Sequence, residues 1–254
     1  MTRRIGSDET YHEQLSRWTQ ALATGRADDL ATALAEGSTP AHVRLFSDGH
    51  HTKRHEAIRT QLEFVAGAFA DFEDLLAAYL GERPSVAYDT VTEDAARFLE
   101  WIERSRDLTP EQNDHMACQR ARHAVEAAAR TNRAGRLRFQ KLWAATDQRA
   151  GSLATDANVR VSLNPIRAWS RFATAALLDA EASLPADVLF FAVDTGISTA
   201  VLEPVGRELV GELACWEPCT LEHWTGLSQH AGREEIVELC RDLAQMGLMA
   251  FGEN

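Results

Sequence analysis

The sequence has few residues that interrupt or cross-link a chain. It contains seven prolines, fifteen glycines and four cysteines among 254 residues. Scarce proline and glycine, together with abundant alanine, favour helix over sheet. The cysteines form neither a CxxC pair nor a disulfide-dense pattern, so we interpret them as reduced thiols of a cytoplasmic protein. They are Cys118, Cys215, Cys219 and Cys240, and the pair 215 and 219 is expected in the core.

Long apolar runs are also missing. The longest, 172–178 and 188–193, are far shorter than a bilayer span requires. The first eleven residues are polar and lack the apolar core of a secretory signal. We therefore expect no membrane association.

The sequence lacks the common catalytic motifs. It has no GxSxG, no GxGxxG and no Walker motif. His51 and His55 have the i, i+4 spacing of a shared metal site, with His42 or His115 as a third ligand. Surface histidines with this spacing are common, so we predict no catalytic residue and no cofactor in this chain. An autonomous metal-dependent enzyme is kept as an alternative.

The first half of the chain shows helical periodicity. Apolar residues recur at helical spacing within 11–35 and again from Ile58 to Tyr79. Thr92 is expected to cap a helix, and Thr109-Pro110 has the pattern of a further helix start. We predict a helical, partner-binding domain over residues 1–130.

The pattern changes after Thr131. Residues 137–143 and 159–163 alternate between apolar and polar side chains, which predicts strands. A turn at Asn164-Pro165 is followed by a stretch that we interpret as helical up to about Ala182. Residues 131–254 are thus predicted to form an α+β domain.

The last seventy residues have the clearest organisation. A strand over 188–193, a turn at 194–196 and a return strand over 198–202 predict a hairpin. Helices from Pro204, from Thr220 and over 233–246 follow, and 248–251 closes the module as a strand. The predicted fold is mainly α, with a winged-helix-like part over 186–252.

Charge argues against nucleic acid as the partner of this module. The net charge of −12 divides into −7 over 1–130, +5 over 131–180 and −10 over 181–254. The third helix carries two arginines and four carboxylates, whereas DNA affinity depends on cations that neutralise phosphates. A winged-helix DNA-binding regulator is the alternative; the prediction is no nucleic acid.

Peptide capture by strand addition fits the module better, because an open strand edge offers unpaired backbone groups. The stretch Phe190–Gly196, the step Leu202-Glu203-Pro204-Val205-Gly206 and the ending Leu243–Met249 resemble the PqqD-like peptide recognition element. That element binds leader peptides of ribosomally made, post-translationally modified peptides. The resemblance implies a winged-helix-like fold and leader-peptide binding.

The resemblance extends over about 60–254. Residues 72–85, 95–102 and 161–165 are similar to partner subunits of multinuclear non-haem iron oxidative enzymes, the HvfC, MbnC and TglI types, with TglI the nearest. This implies a heterodimer with a TIM-barrel iron oxidase subunit, which holds the iron. The present chain would bring a precursor peptide whose cysteine is modified, for example by thiaglutamate-type carbon excision.

The resemblance also places the peptide. We expect the open edge on the strand Ser198, Thr199, Ala200, Val201 and Leu202. Arg233, Val237 and Arg241 of the third helix are expected to form the other wall, with the arginines paired to acidic leader residues. The basic stretch between Arg133 and Arg171 is either a docking surface for the oxidase or an ordinary solvated surface.

Overall fold

The computed structural model describes residues 40–83, 90–146, 158–179 and 182–252, with side chains from residue 48 onward. The helices predicted within 11–35 lie outside the described residues. The chain divides into two compact units, one up to Leu108 and one from Thr109. The fold is mixed α+β and mainly helical, with two small three-stranded antiparallel sheets. No helix among the described residues has the length and apolar character needed to cross a bilayer.

The first unit is helical in its described part. Its helices are α1 (Pro40–Gln61), α2 (Glu63–Ala66), α3 (Phe72–Glu82) and α4 (Val91–Ser105). Thr90, rather than the predicted Thr92, caps α4. Its hydroxyl accepts a hydrogen bond from the Glu93 N–H, and the Glu93 carboxylate accepts one from the Thr90 N–H. The apolar faces meet in a core that includes Ile58, Leu62, Val65, Phe72, Leu76, Phe98, Leu99 and Ile102.

The second unit mixes helices and strands. It contains α5 (Pro110–Thr131), α6 (Arg133–Ala144), β1 (Arg160–Leu163), β2 (Arg167–Phe172), β3 (Ala186–Val193), β4 (Gly196–Leu202), α7 (Pro204–Trp216), β5 (Cys219–Thr220), α8 (Leu221–Leu227), α9 (Arg233–Gln245) and β6 (Met249–Gly252). The predicted hairpin, the three helices after it and the closing strand are confirmed as elements. The strand predicted over 159–163 is confirmed as β1.

The strands form two sheets. The first has the order β5-β1-β6 and the second the order β2-β3-β4, all pairs being antiparallel. In the second sheet Phe191 lies opposite Arg167 of β2 on one side and Ser198 of β4 on the other. The central strand β3 is therefore paired along both edges.

Strand β3 is also buried on both faces, because its alternate residues enter different cores. Leu189 and Phe191 pack with α7, α9 and the first sheet. Val188 and Phe190 pack against α5 and Phe172. This explains the continuous apolar run of β3, since a strand covered on both faces has no polar side.

Asn164 joins the two sheets at the point where β1 leads into β2. Its Nδ2 donates to the Ala192 and Gly247 carbonyls at 2.8 and 3.2 Å, and its Oδ1 accepts from the Ile166 N–H at 2.9 Å. Its backbone N–H donates to the Leu248 carbonyl. Asn164 is buried, so these bonds satisfy polar groups that water does not reach. One side chain thus fixes the ends of β3 and α9 together.

Two predicted elements are wrong in type. Residues 137–143 belong to helix α6, not a strand: Asn132 caps it through the Gly135 N–H, and the Trp143 indole N–H donates to the Ala244 carbonyl. Among the apolar residues of this stretch only Phe139 is buried, so the alternation in the sequence does not correspond to one buried face of a strand. Residues 167–172 form β2 instead of a helix, because β3 supplies a pairing partner that is distant in sequence.

The division between the units lies N-terminal of the boundary predicted near residue 130. Helix α5 packs on β2 and β3, so it belongs with the strands. Buried Asp114 of α5 accepts hydrogen bonds from the N–H groups of Ala173 and Thr174 at 2.9 and 2.7 Å. The helix therefore holds the end of β2.

A buried ion pair ties the helices of the first unit together. Arg54 of α1 donates from Nε and Nη2 to both carboxylate oxygens of Asp94 of α4, at 2.6 and 2.9 Å, and from Nη1 to the Arg83 carbonyl. The Tyr79 hydroxyl donates to the same carboxylate at 2.7 Å. Burial alone would raise the pKa of Asp94, but the bonds from Arg54 and Tyr79 hold it below its ordinary value.

We expect the Asp94→Asn variant to lose about 3–5 kcal/mol of unfolding free energy, because Arg54 is then a buried charge without its counterion. Since the folded pKa is depressed, the contribution of Asp94 is present above its unfolded pKa of about 4 and is lost as pH falls through the folded value. Urea unfolding of wild type and variant between pH 7 and pH 2 measures both effects.

Glu100→Gln is the matched control, because Glu100 makes an exposed i, i+4 pair with Arg104 and such pairs contribute about 0.3–0.5 kcal/mol. If the two variants destabilise equally, or if the loss in Asp94→Asn does not shrink at low pH, the proposed role of the buried pair is wrong.

Candidate functional site

Strand β4 forms one edge of the second sheet. It pairs with β3 from Gly196 to Leu202, and no further strand among the described residues pairs with it. The predicted segment 198–202 lies in this edge strand. An edge strand presents backbone groups that another extended chain can bind.

The hydrogen-bond pattern shows which backbone groups point outward. The Ala192 N–H donates to the Ile166 carbonyl, on the β2 side, at 3.0 Å. In an antiparallel ladder the N–H and C=O of one residue point to the same side, and successive residues alternate. Ala192 and Phe190 thus face β2, while Phe191 and Leu189 face β4.

The register then assigns the groups of β4. Ser198 and Ala200 lie opposite Phe191 and Leu189, so their N–H groups bond to β3. Thr199 and Val201 lie opposite Phe190 and Val188, so their N–H and C=O groups face the open edge. A proline at either position would therefore remove an outward N–H and leave the bonds to β3 in place.

Apolar surface accompanies this edge. The side chains of Val201 and Val205 are 49% and 51% exposed, and both lie where β4 leads into α7. The side chain of Ala200, which lies between Thr199 and Val201 in the sequence, is buried in the core. Two exposed valines beside unpaired backbone groups provide contact area for an incoming strand.

Gly206 lies in a corner where β4, α7 and α9 meet. A Cβ atom built on Gly206 would lie 3.9 Å from the side chains of both Leu202 and Leu239. At the other end of α9, a Cβ on Gly247 would lie 3.5 Å from Val193, which is opposite the start of β4. Helix α9 therefore approaches the end of β4 near Leu239, while Gly247, two residues beyond the helix, lies at the end of β3.

The side of α9 that carries Leu239 also carries two carboxylates. Glu235, Asp242 and Met246 are four residues before and three and seven residues after Leu239, so they lie on the same side of the helix. All three are exposed. We call Glu235, Leu239, Asp242 and Met246 the acidic flank.

The residues predicted for the other wall differ in their exposure. Val237 is 5% exposed and belongs to the core. Arg241 follows Leu239 by two residues, which places it about 200° around the helix, and Arg233 is on the same side as Val237. Leu239 is the α9 side chain near Gly206, at the end of β4. The wall of Arg233, Val237 and Arg241 stays a prediction. Gly206 belongs to the Leu-x-Pro-x-Gly step identified in the sequence, so that step was a signal for this corner.

The histidines considered as metal ligands make other contacts. His55 Nε2 lies 3.0 Å from Glu73 Oε2, and Arg59 donates to the other oxygen of the same carboxylate. Within the described ranges no group of three or more histidines, cysteines, aspartates or glutamates is arranged to hold a metal. The side chain of His42 lies outside the described residues.

The cysteines are free thiols, as their spacing predicted. Burial raises the pKa of Cys240 to about 12 and also raises the pKa values of Cys118 and Cys219. Thiols with raised pKa values are poor nucleophiles at neutral pH. Cys215 is exposed, so its predicted place in the core is wrong.

Comparison of the chain with family models, with curated proteins and with solved structures gave no match.

Amide hydrogen exchange checks the assignment of the edge. We expect the amides of Thr199 and Val201 to exchange rapidly and those of Ser198 and Ala200 slowly, because only the latter bond to β3. Residue-resolved exchange by nuclear magnetic resonance provides the measurement. The reverse alternation would place the open groups at even-numbered residues and overturn the assignment.

Proposed function

We propose that this chain binds an extended peptide at the open edge of β4 and acts as the non-catalytic partner subunit of an iron-dependent peptide-modifying oxidase. The bound peptide is the leader of a ribosomally made precursor, whose cysteine the chain presents to the partner. The observation that supports this most directly is the open edge, where the outward groups of Thr199 and Val201 lie beside two exposed valines.

The order of elements also supports the proposal. Three antiparallel strands, β2, β3 and β4, are followed by the three helices α7, α8 and α9. A PqqD-like recognition element has this order and receives its peptide on the third strand, beside the third helix. In the present chain that position is the edge of β4 beside α9.

The charges of α9 favour a peptide over DNA. Glu234, Glu235, Glu238 and Asp242 are all exposed, whereas Arg233 is partly buried. A helix with this charge would be repelled by phosphates instead of neutralising them. A regulator that reads DNA through α9 is therefore the weaker proposal.

The iron and the oxygen chemistry belong to the partner subunit in this proposal. The chain's own residues have a binding role: main-chain groups of β4 fix the direction and register of the peptide, and side-chain contacts select its sequence. Holding the precursor in one register raises the concentration of its cysteine at the partner's reaction centre.

Proline at residue 199 tests the binding mode. Thr199→Pro removes an outward N–H without breaking the bonds to β3, and edge strands tolerate such prolines. We expect peptide binding to weaken by roughly tenfold, about 1–1.5 kcal/mol for one main-chain bond. The measurement is fluorescence anisotropy with labelled peptides selected on the wild-type protein from a displayed random library of about twelve residues.

Thr199→Ala is the control, because it truncates the same side chain and keeps the N–H. Circular dichroism establishes that both variants are folded. Equal affinity of both variants for the selected peptides would place the binding site away from the β4 edge.

To test the complex, the chain is co-expressed with an iron oxidase encoded by an adjacent gene. Size-exclusion chromatography of the product is expected to give one peak with the summed mass of the two proteins. Helix α6 carries exposed Arg133, Arg138 and Lys141, which form the candidate docking surface. Changing Arg133 and Lys141 to Glu should weaken the complex at low salt, because a basic surface attracts an acidic partner.

Arg241→Glu is the control for general charge effects, since Arg241 is an exposed arginine of α9. Two separate peaks for the wild-type proteins would contradict the heterodimer. Equal effects of the α6 and α9 variants would contradict docking through α6.

A further inference from the structure

The charges around the β4 edge specify the kind of peptide that fits there. Resting on the proposed function, we propose that the edge selects an extended segment that carries lysine or arginine beside apolar residues. The basic side chains would pair with the acidic flank, and the apolar ones would cover Leu202, Gly206 and Leu239. This is the opposite of the acidic leader expected from Arg233 and Arg241.

The geometry of an added strand supports an alternating pattern. Side chains of a strand paired with β4 alternate between the two faces of the sheet. One set lies on the face of Leu202, where Leu239 of α9 is near Gly206. Glu235 and Asp242 are one turn of the helix before and after Leu239. In this proposal, alternate peptide residues on that face would meet the apolar corner and these two carboxylates.

Charge complementarity decides between basic and acidic peptides. Residues 181–254 contain thirteen carboxylates, three arginines and no lysine. Of the three arginines, Arg207 lies over the Trp169 ring at 4.5 Å and 3.6 Å from Asp187, so it faces β2 and β3. Arg241 and Arg233 are on the other side of α9. None of these three arginines is on the acidic flank, so its carboxylates would repel an acidic peptide there.

Two carboxylates can be changed without disturbing the fold. Glu235 accepts a hydrogen bond from the Gly232 N–H at the start of α9, and Glu235→Gln keeps an acceptor for that bond while it removes the charge. Asp242 is near the end of α9, where a cation is favourable, so Asp242→Lys suits the helix. Glu208→Lys is the matched control, since Glu208 is exposed on α7 about 200° around that helix from Gly206.

The experiment is a selection from a displayed library of about twelve random residues, on wild type and on each variant at low salt. We expect wild type to enrich lysine or arginine next to apolar residues, and selected peptides to lose roughly tenfold in affinity for Asp242→Lys and roughly threefold for Glu235→Gln, from the strength of exposed ion pairs. Glu208→Lys should bind them as wild type does.

The outcomes separate this inference from the function on which it rests. Peptides that depend on the Thr199 N–H but show no basic preference, or bind Asp242→Lys and Glu208→Lys equally, overturn the charge selection and leave strand addition in place. A selection that enriches acidic residues would likewise overturn the charge selection and leave strand addition in place. If no peptide is enriched, or if none responds to Thr199→Pro, both the proposed function and this inference are wrong.

Discussion

The buried side chain of Asn164 is the contact on which the arrangement of the second unit depends. It binds the carbonyl at the end of β3, the carbonyl that follows α9 and the N–H that starts β2. These groups come from three distant parts of the chain, and each would be costly to bury alone. Because Asn164 fixes Ala192, it also fixes the alternation along β3, and with it the residues of β4 that face outward.

The two units are stabilised by different means. The second unit is organised by a strand with apolar neighbours on both faces, and its hydrogen bonds complete a packed core. The described part of the first unit relies in addition on an ion pair, since Arg54 and Asp94 are only 7% and 6% exposed and lie 40 positions apart in the sequence, on different helices. Such a pair fixes which helix faces meet, because any other packing would leave a buried charge alone.

Local signals in the sequence identified most elements and failed where the decisive contacts are distant. The hairpin, the helix from Pro204 and the capped helices from Thr109 and Arg233 depend on neighbouring residues, so their patterns could be interpreted correctly. Strand β2 exists because β3 pairs with it, and no local pattern of 167–172 shows that. The candidate site could be predicted in part. The edge segment follows from the order of strands, but the approach of Leu239 of α9 to Gly206 depends on how distant elements pack.

An open strand edge with exposed Val201 and Val205 is also a surface on which two copies of the chain could pair and begin to aggregate. Two such edges would have to approach with their carboxylates side by side, and like charges at close range oppose that contact. The negative charge of α9 would therefore protect this edge against self-association. The protection weakens in high salt, where the Debye length falls to about 3 Å at 1 M, and in acid, where the carboxylates are neutral.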